Sequence, residues 1–240
     1  MSLKFELIHQ SKVSKARVGK IHTPHGVINT PGFVAVGTNG TLKAVDNNQP
    51  QVLDQELMFC NTYHLLLQPG VDVIASAGGL HQFIGRKGPI ITDSGGFQVF
   101  SLAYGSVADE LKSKGTKKTT SSVLKINEKG VIFRSYRDGS LVELTPESSI
   151  EAQQAFGSDI IIPLDELPAY HTDFDTLKKS LERTHRWEKR SLLTHQKNPQ
   201  QQSIYAVVHG GVSPDLRRDS ATTLVKMGFH GYAIGGSLEK

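Results

Sequence analysis

What most constrains this chain is a repeated alternation, from about Phe33 onward, of short apolar runs with stretches of helical period. Phe33–Val36, Leu57–Cys60, Ile90–Thr92, Ile160–Leu164, Ile204–Val208 and Tyr232–Ile234 are rich in Val and Ile, and most end where Gly, Asp, Asn or His begins. Short runs without polar alternation read as strands of a parallel sheet, covered by helices on both faces. Helical patterns fill the intervals at Pro50–Glu56, Gly70–Ala77, Pro146–Ala155, Asp173–His195 and Pro214–Met227. Thr145-Pro146 and Ser213-Pro214 each put a capping hydroxyl before a proline suited to the first helical position. Phe174, Leu177 and Leu181 have the spacing of a core-facing stripe. Six β/α units at this pace match a (β/α)8 barrel, for which roughly 250 residues is typical. The expected fold class is therefore α/β: a TIM barrel over residues 1–240 as one domain, incomplete at about six units, with an open doubly wound sheet as the alternative. The chain stops directly after the sixth strand, so further units are expected beyond Lys240.

Two segments break the alternation. Val123–Leu144 has period-2 stretches around Gly130 and Asp138-Gly139, the latter a hairpin signal, and is predicted to be an inserted β-hairpin. Phe5–Gln10 and Val18–Ile28, with Pro24 and Gly26 at the turn, predict an antiparallel N-terminal lid on one end of the barrel. The single cysteine, Cys60, excludes an internal disulfide and a thiolate-based zinc site within this chain. No apolar run approaches the roughly 20 residues that span a bilayer, and Met-Ser-Leu-Lys is no signal-peptide core, so a cytoplasmic protein without a membrane partner is expected. The net charge of +4 permits a nucleic-acid partner without demanding one. Basic residues cluster at Lys112, Lys114, Lys117 and Lys118, and at Arg183, Arg186, Lys189 and Arg190 around Trp187. Charge patterning favours reading them as a solvated loop and a solvated helix face.

In a parallel barrel, functional groups lie where strands end. Those positions carry Gly37-Thr38-Asn39-Gly40, Asn61-Thr62-Tyr63-His64, Asp93-Ser94-Gly95-Gly96-Phe97-Gln98, Asp165-Glu166, His209-Gly210-Gly211 and Gly235-Gly236-Ser237. Glycines let a flat ligand approach the backbone while carboxylates accept its N–H donors, so a purine-like heterocycle fits. The plainer reading of Thr92–Phe97 is a structural turn. Asp-Ser-Gly-Gly also surrounds the nucleophile of chymotrypsin-like proteases, but those need an upstream His and Asp on an all-β scaffold, and Ser94 ends an early α/β strand. Glu166, beside Asp165, points to the opposite face and is expected to pair structurally, and Tyr63 and His64 to pack at the rim. Neither Cys60 with His64 nor His22 with His25 has the framework of a metal site, and no metal is expected within this chain.

Several elements, in one order, resemble the tRNA-guanine transglycosylases, also called queuine tRNA-ribosyltransferases. They are Thr30-Pro31-Gly32-Phe33 into Val36-Gly37-Thr38, Asn61-Thr62-Tyr63-His64-Leu65 with Gln68-Pro69-Gly70, Ile91 through Leu102, Arg137-Asp138-Gly139-Ser140, Thr145-Pro146-Glu147, Leu164-Asp165-Glu166, His209-Gly210-Gly211 with Leu216-Arg217-Arg218, and Gly231 through Gly236. The resemblance implies a glycosyltransferase that exchanges guanine at the wobble position of tRNAs of the GUN anticodon type for queuine or a 7-deazaguanine precursor, through a covalent ribosyl-enzyme. It implies Asp93 as general acid/base within a base pocket of Asp93, Ser94, Gly95, Gly96, Phe97, Asp165, His209, Gly235 and Gly236. Phe97 would stack on the base, and Asp165 would accept its N1–H and exocyclic amine. It further implies no organic cofactor, a homodimer at full length, and a nucleophilic aspartate and a Cys/Cys/Cys/His zinc site beyond Lys240.

Bacterial members of that family usually have glutamine at the position of His209 and leucine at that of Ser237, so the resemblance leaves the incoming base open. His209 also has a plainer reading, a strand-end histidine satisfied by backbone. Two alternatives to the enzyme stand: a non-catalytic tRNA-binding subunit, against which Asp93 and Asp165 argue, and a (β/α) enzyme acting on a purine-like metabolite.

Overall fold

The computed structural model describes residues 3–46, 55–103, 123–169 and 172–235. Strands β1 (Lys4–Gln10), β2 (Arg17–Thr23) and β3 (Gly26–Thr30) form an antiparallel sheet. They are followed by β4 (Val34–Val36), β5 (Leu57–Cys60) and β6 (Ile90–Thr92), with short helices α1 (Thr62–Leu67), α2 (Val71–Ser76) and α3 (Leu80–Ile84) between the last two. Helix α4 (Gly96–Ala103) follows β6, and β7 (Val123–Ile126), β8 (Val131–Arg134) and β9 (Leu141–Leu144) form the inserted sheet. Then come α5 (Pro146–Phe156), β10 (Ile160–Ile161), α6 (Phe174–Lys197), β11 (Ser203–Val208), α7 (Pro214–Met227) and β12 (Gly231–Ile234).

All six apolar runs become strands of one parallel sheet, paired in chain order from β4 to β12. The sheet curls as a half-barrel in an α/β fold. Two buried clusters fill the space between sheet and helices: Met58, Cys60, Leu65, Ile74, Leu80, Ile90, Ala152 and Phe156, and, further along, Ile150, Ile161, Leu192, Ile204, Ala206, Leu224 and Phe229. No helix among the described residues is long and apolar enough to cross a membrane.

The caps fall where the hydroxyls predict them. Thr145 Oγ1 accepts from Ser148 N at 3.1 Å while Ser148 Oγ accepts from Thr145 N at 2.9 Å, with Pro146 inside the first turn of α5. Asp173 caps α6 and Ser213 caps α7 through the backbone N–H three residues on. Helices α1, α3 and α4, of 6, 5 and 8 residues, escape the sequence reading because so few turns carry little periodicity. The expected Pro50–Glu56 helix falls, except for its end, outside the described residues, as do the lysines at 112–118, Gly236 and Ser237.

Three expectations need correction. The fourth strand was expected to run to Leu164, but the ladder ends at Ile161 because Ile162 turns its backbone to a side chain: its N–H donates to Gln153 Oε1 at 3.0 Å and its C=O accepts from Gln153 Nε2 at 2.8 Å. Phe174 does not face the core. It is the first residue of α6 and 56% exposed, and the buried stripe starts nearly two turns later at Ser180 and Leu181 and continues through Thr184, Trp187, Glu188, Ser191 and Leu192. The insertion is two successive hairpins, not one, since Asn127–Gly130 closes a second turn between β7 and β8.

The insertion also changes the reading of the basic helix. Arg183 meets Glu166 (2.8 Å), Arg186 meets Glu128 of the β7–β8 turn (2.7 Å) and Arg190 meets Glu147 (2.6 Å). Trp187, fully buried, donates Nε1–H to the Glu128 carbonyl at 3.0 Å. These arginines fasten the inserted sheet to α6 and are not simply solvated.

Gln153 is fully buried and bonds both backbone groups of Ile162 as well as Thr92 Oγ1. Gln153→Ala would leave these groups unsatisfied in the core, so unfolding stability should fall by about 2–4 kcal/mol. Urea denaturation should show a lower midpoint with an unchanged slope.

Candidate active site

The residues at the carboxyl ends of β5, β6, β10, β11 and β12 converge as the sequence predicts. Asp93, one residue past β6, is buried, and its carboxylate is held from two neighbouring strand ends. Asn61 Nδ2 donates to Oδ2 at 2.7 Å, while Thr62 N (2.7 Å) and Gly95 N (3.2 Å) donate to Oδ1. Thr62 Oγ1 adds a bond to the Asp93 carbonyl at 2.6 Å. Burial raises the carboxyl pKa from 3.8 to about 6, against the downward pull of hydrogen bonds from Asn61, Thr62, Gln98 and Gly95.

The chain after Asp93 turns sharply. Gly95 adopts φ +82°, a conformation L side chains rarely enter, and a Cβ there would lie 3.1 Å from Tyr63 N. At Gly96 a Cβ would come within 3.0 Å of Leu164 and 3.1 Å of the Asp165 carbonyl. This close approach brings Ser94 Oγ to Asp165 Oδ1 at 3.3 Å, and Ser149 Oγ fixes the Ser94 carbonyl at 2.8 Å. Helix α4 then presents the Phe97 ring 41% exposed, although its neighbours Val99 and Phe100 are buried against the inserted sheet.

Asp165 receives a second partner from β11: His209 Nε2 lies 2.6 Å from its Oδ2. The His209 ring thus faces a carboxylate, while its backbone N–H donates to Ser220 Oγ at 3.2 Å. The Asp165 side chain keeps 17% of its surface open, so a ligand can reach it. Glu166 points away, as expected, into its pair with Arg183. Behind Asp165, Glu188 is buried and its pKa is pushed well above the ordinary range by desolvation, and its Oε1 accepts from Val207 N at 2.7 Å. Gly235 closes the ring of strand ends, its N–H donating to the Val208 carbonyl at 3.2 Å.

Sequence reasoning missed the residues that position this set. Asn61 and Thr62 stand at a strand end and within the family pattern, but nothing in the sequence gives them a role toward Asp93. Arg217 donates to the carbonyls of Gly211 (2.7 Å), Val208 (3.4 Å) and Gly235 (3.1 Å), tying together the loops after β11 and β12, and no spacing signal marks it. Tyr63 is not a loose rim residue but is buried with Phe133 and Trp187. Cys60 does not fit a thiolate metal site, because burial pushes its thiol up to about 12.

The shift of Asp93 has a definite sign. Its folded pKa is raised, so its contribution to stability is full below about pH 4 and is lost as pH rises through about 6, where the folded chain must bury the charge. Asp93→Asn removes that titration. The stability of the variant relative to the native chain should therefore increase between about pH 4 and 7, by up to about 3 kcal/mol. Urea unfolding at a series of pH values reads this, and a pH-independent difference would show that the carboxyl is not desolvated.

The family model described as queuine tRNA-ribosyltransferase matches residues 11–240. A protein of Protochlamydia amoebophila bearing that name is 69% identical over 237 residues, which is 99% of this chain and 61% of that protein. Proteins of the same name from Chlamydia caviae and Chlamydia muridarum are 56% and 57% identical, over 99% and 100% of this chain and 63% of each of theirs. The chain spans about three fifths of the length of the curated relatives it matches. With the match covering all but its first ten residues, this chain belongs to the queuine tRNA-ribosyltransferase family.

Proposed function

We propose that this chain forms the base-recognition and proton-transfer half of a tRNA-guanine transglycosylase, which exchanges the wobble guanine of GUN-anticodon tRNAs for queuine or a smaller 7-deazaguanine. The observation that carries this reading is that one turn, Asp93–Phe97, supplies a desolvated carboxyl with a pKa of about 6, a hydroxyl bonded to Asp165 and an exposed aromatic ring. A general acid/base works best with a pKa near the working pH, so Asp93 can protonate the departing guanine and take a proton from the incoming base.

Base binding follows from what the other groups leave open. An ionised carboxylate offers about four lone-pair sites. Asp165 uses two, on Ser94 and His209, and its free sites suit the N1–H and exocyclic amine of a guanine edge. Phe97 stacks on the base face, a contact worth about 1–3 kcal/mol. Gly235, at the end of β12, offers backbone to the remaining edge. His209 stands beside this edge with its Nε2 held by Asp165.

The same reading places the rest of the reaction in the portion of the relatives that this chain does not span. There a second carboxylate attacks ribose C1′ as guanine leaves, the 7-deazaguanine then displaces the carboxylate, and a thiolate-rich zinc site supports that portion. Further β/α units would complete the six-stranded sheet as a TIM barrel, with the β1–β3 sheet as its lid at the strands' amino ends.

In the protein extended to the length of its relatives, Asp93→Asn should lower guanine exchange into tRNA by about 100-fold or more while leaving affinity for an anticodon stem-loop almost unchanged, because phosphate contacts dominate RNA affinity. Near-normal turnover would remove Asp93 from proton transfer. Exchange on free guanosine with no requirement for tRNA would favour a metabolite enzyme instead. His209→Gln should retain exchange but change the kcat/KM ratio between queuine and its aminomethyl precursor by about tenfold. An unchanged ratio would leave His209 a partner of Asp165 alone.

A further inference from the structure

At the opposite, amino-terminal end of the parallel strands three residues far apart in sequence meet. Asp159, just before β10, is fully buried. Its Oδ1 lies 2.8 Å from His25 Nδ1 in the β2–β3 turn and accepts from His25 N at 3.1 Å. Its Oδ2 accepts from Ile90 N at 2.9 Å and lies 3.3 Å from His81 Nε2 at the start of α3. The two imidazoles stack with centroids 3.5 Å apart and 16° between planes. One nitrogen from each ring and an Asp159 oxygen all fall within 4.8 Å of one another.

Hydrogen bonding leaves one part of this cluster unexplained. His81 is only 10% exposed, and its Nε2, though 3.3 Å from Asp159 Oδ2, makes no well-formed hydrogen bond. Native interiors rarely keep such an atom unsatisfied. A shared cation would satisfy this nitrogen better than the poorly aligned contact does. Zn2+ lies about 2.0–2.1 Å from imidazole nitrogen and carboxylate oxygen, so atoms that share it sit up to about 4 Å apart, and small side-chain movements bring this set into range.

We propose that His25, His81 and Asp159 form a divalent-metal site, best suited to Zn2+, that fastens the β2–β3 turn to the amino ends of the parallel strands. Two imidazoles and a single carboxylate favour zinc over magnesium or calcium, which prefer all-oxygen sets. His25 and Asp159 line a cleft of about 400 Å³ beside Ser158 and Gln200–Gln202, with room for water to complete a coordination shell. The site is separate from the base pocket, because Asp159 precedes β10 and Asp165 follows it. It is also separate from any thiolate zinc site, having no cysteine.

Titration of the metal-stripped chain with Co2+ tests this directly. The expected result is one saturable equivalent with weak visible bands and no thiolate charge-transfer band, displaced by Zn2+, together with a Tm that rises when Zn2+ is added. His25→Gln and His81→Gln should each weaken Co2+ binding by more than the about 10–100-fold that loss of an outer-shell partner brings, and should abolish the Tm rise. His25 lies in an exposed turn, so His25→Gln carries the test even if His81→Gln does not fold. No saturable Co2+ binding, a thiolate band, or an unchanged Tm response in His25→Gln would overturn the proposal.

Discussion

A buried carboxylate gripped from two strand ends organises the carboxyl end of this sheet. Asn61 and Thr62 close β5, Asp93 and Gly95 continue β6, and the hydrogen bonds between them set the direction in which the chain leaves each strand. Donors aimed at the carboxylate stabilise its charge, but desolvation outweighs them and leaves a pKa of about 6. That balance separates an inert salt-like carboxylate from one that exchanges protons near neutrality. The conformation that achieves it also brings Ser94 Oγ to Asp165 and leaves the Phe97 ring exposed.

The inserted β7–β9 sheet acts as the second support. Val131, Phe133 and Leu144 pack with Val99, Phe100, Leu164 and Trp187, so the sheet braces α4 and the residue before Asp165 from behind. Its β7–β8 turn sends Glu128 to Arg186 and Arg183, whose guanidinium groups hold the carboxyl down at about 2. Exposed ion pairs contribute little individually, about 0–1 kcal/mol. Here they set register, while the buried Trp187 and its bond to the Glu128 carbonyl carry the packing.

At the other end, the β1–β3 sheet reaches the parallel strands through few contacts: Ile28 against Leu57 and Ile160, Asn29 N to Glu56 at 2.7 Å, Leu3 N to Ser203 Oγ at 3.0 Å, and the His25, His81 and Asp159 cluster. Strand β1 is exposed along its whole length. Attachment of this sheet therefore combines the apolar patch around Ile28 with polar contacts at Glu56, Ser203 and Asp159.

The sequence by itself determined the parallel sheet, the capped helices α5 and α7 and the ring of strand-end residues, because each rests on local information: apolar runs of strand length, a hydroxyl before proline, a glycine or carboxylate where a run stops. It also carried enough family pattern to mark Asp93, Phe97, Asp165 and His209. Only the tertiary structure decided how those residues are held. The pKa of Asp93 follows from burial and from donors 31 and 32 positions away, the early end of β10 from Gln153 nine positions away, and the pairing of the helix arginines from a turn some 55 to 62 positions away. The trio of His25, His81 and Asp159, which meets in space, has no spacing a sequence reading can detect. Hydrogen bonds and desolvation depend on distance in space, and in a chain folded through parallel crossovers, residues close in space come from separate units.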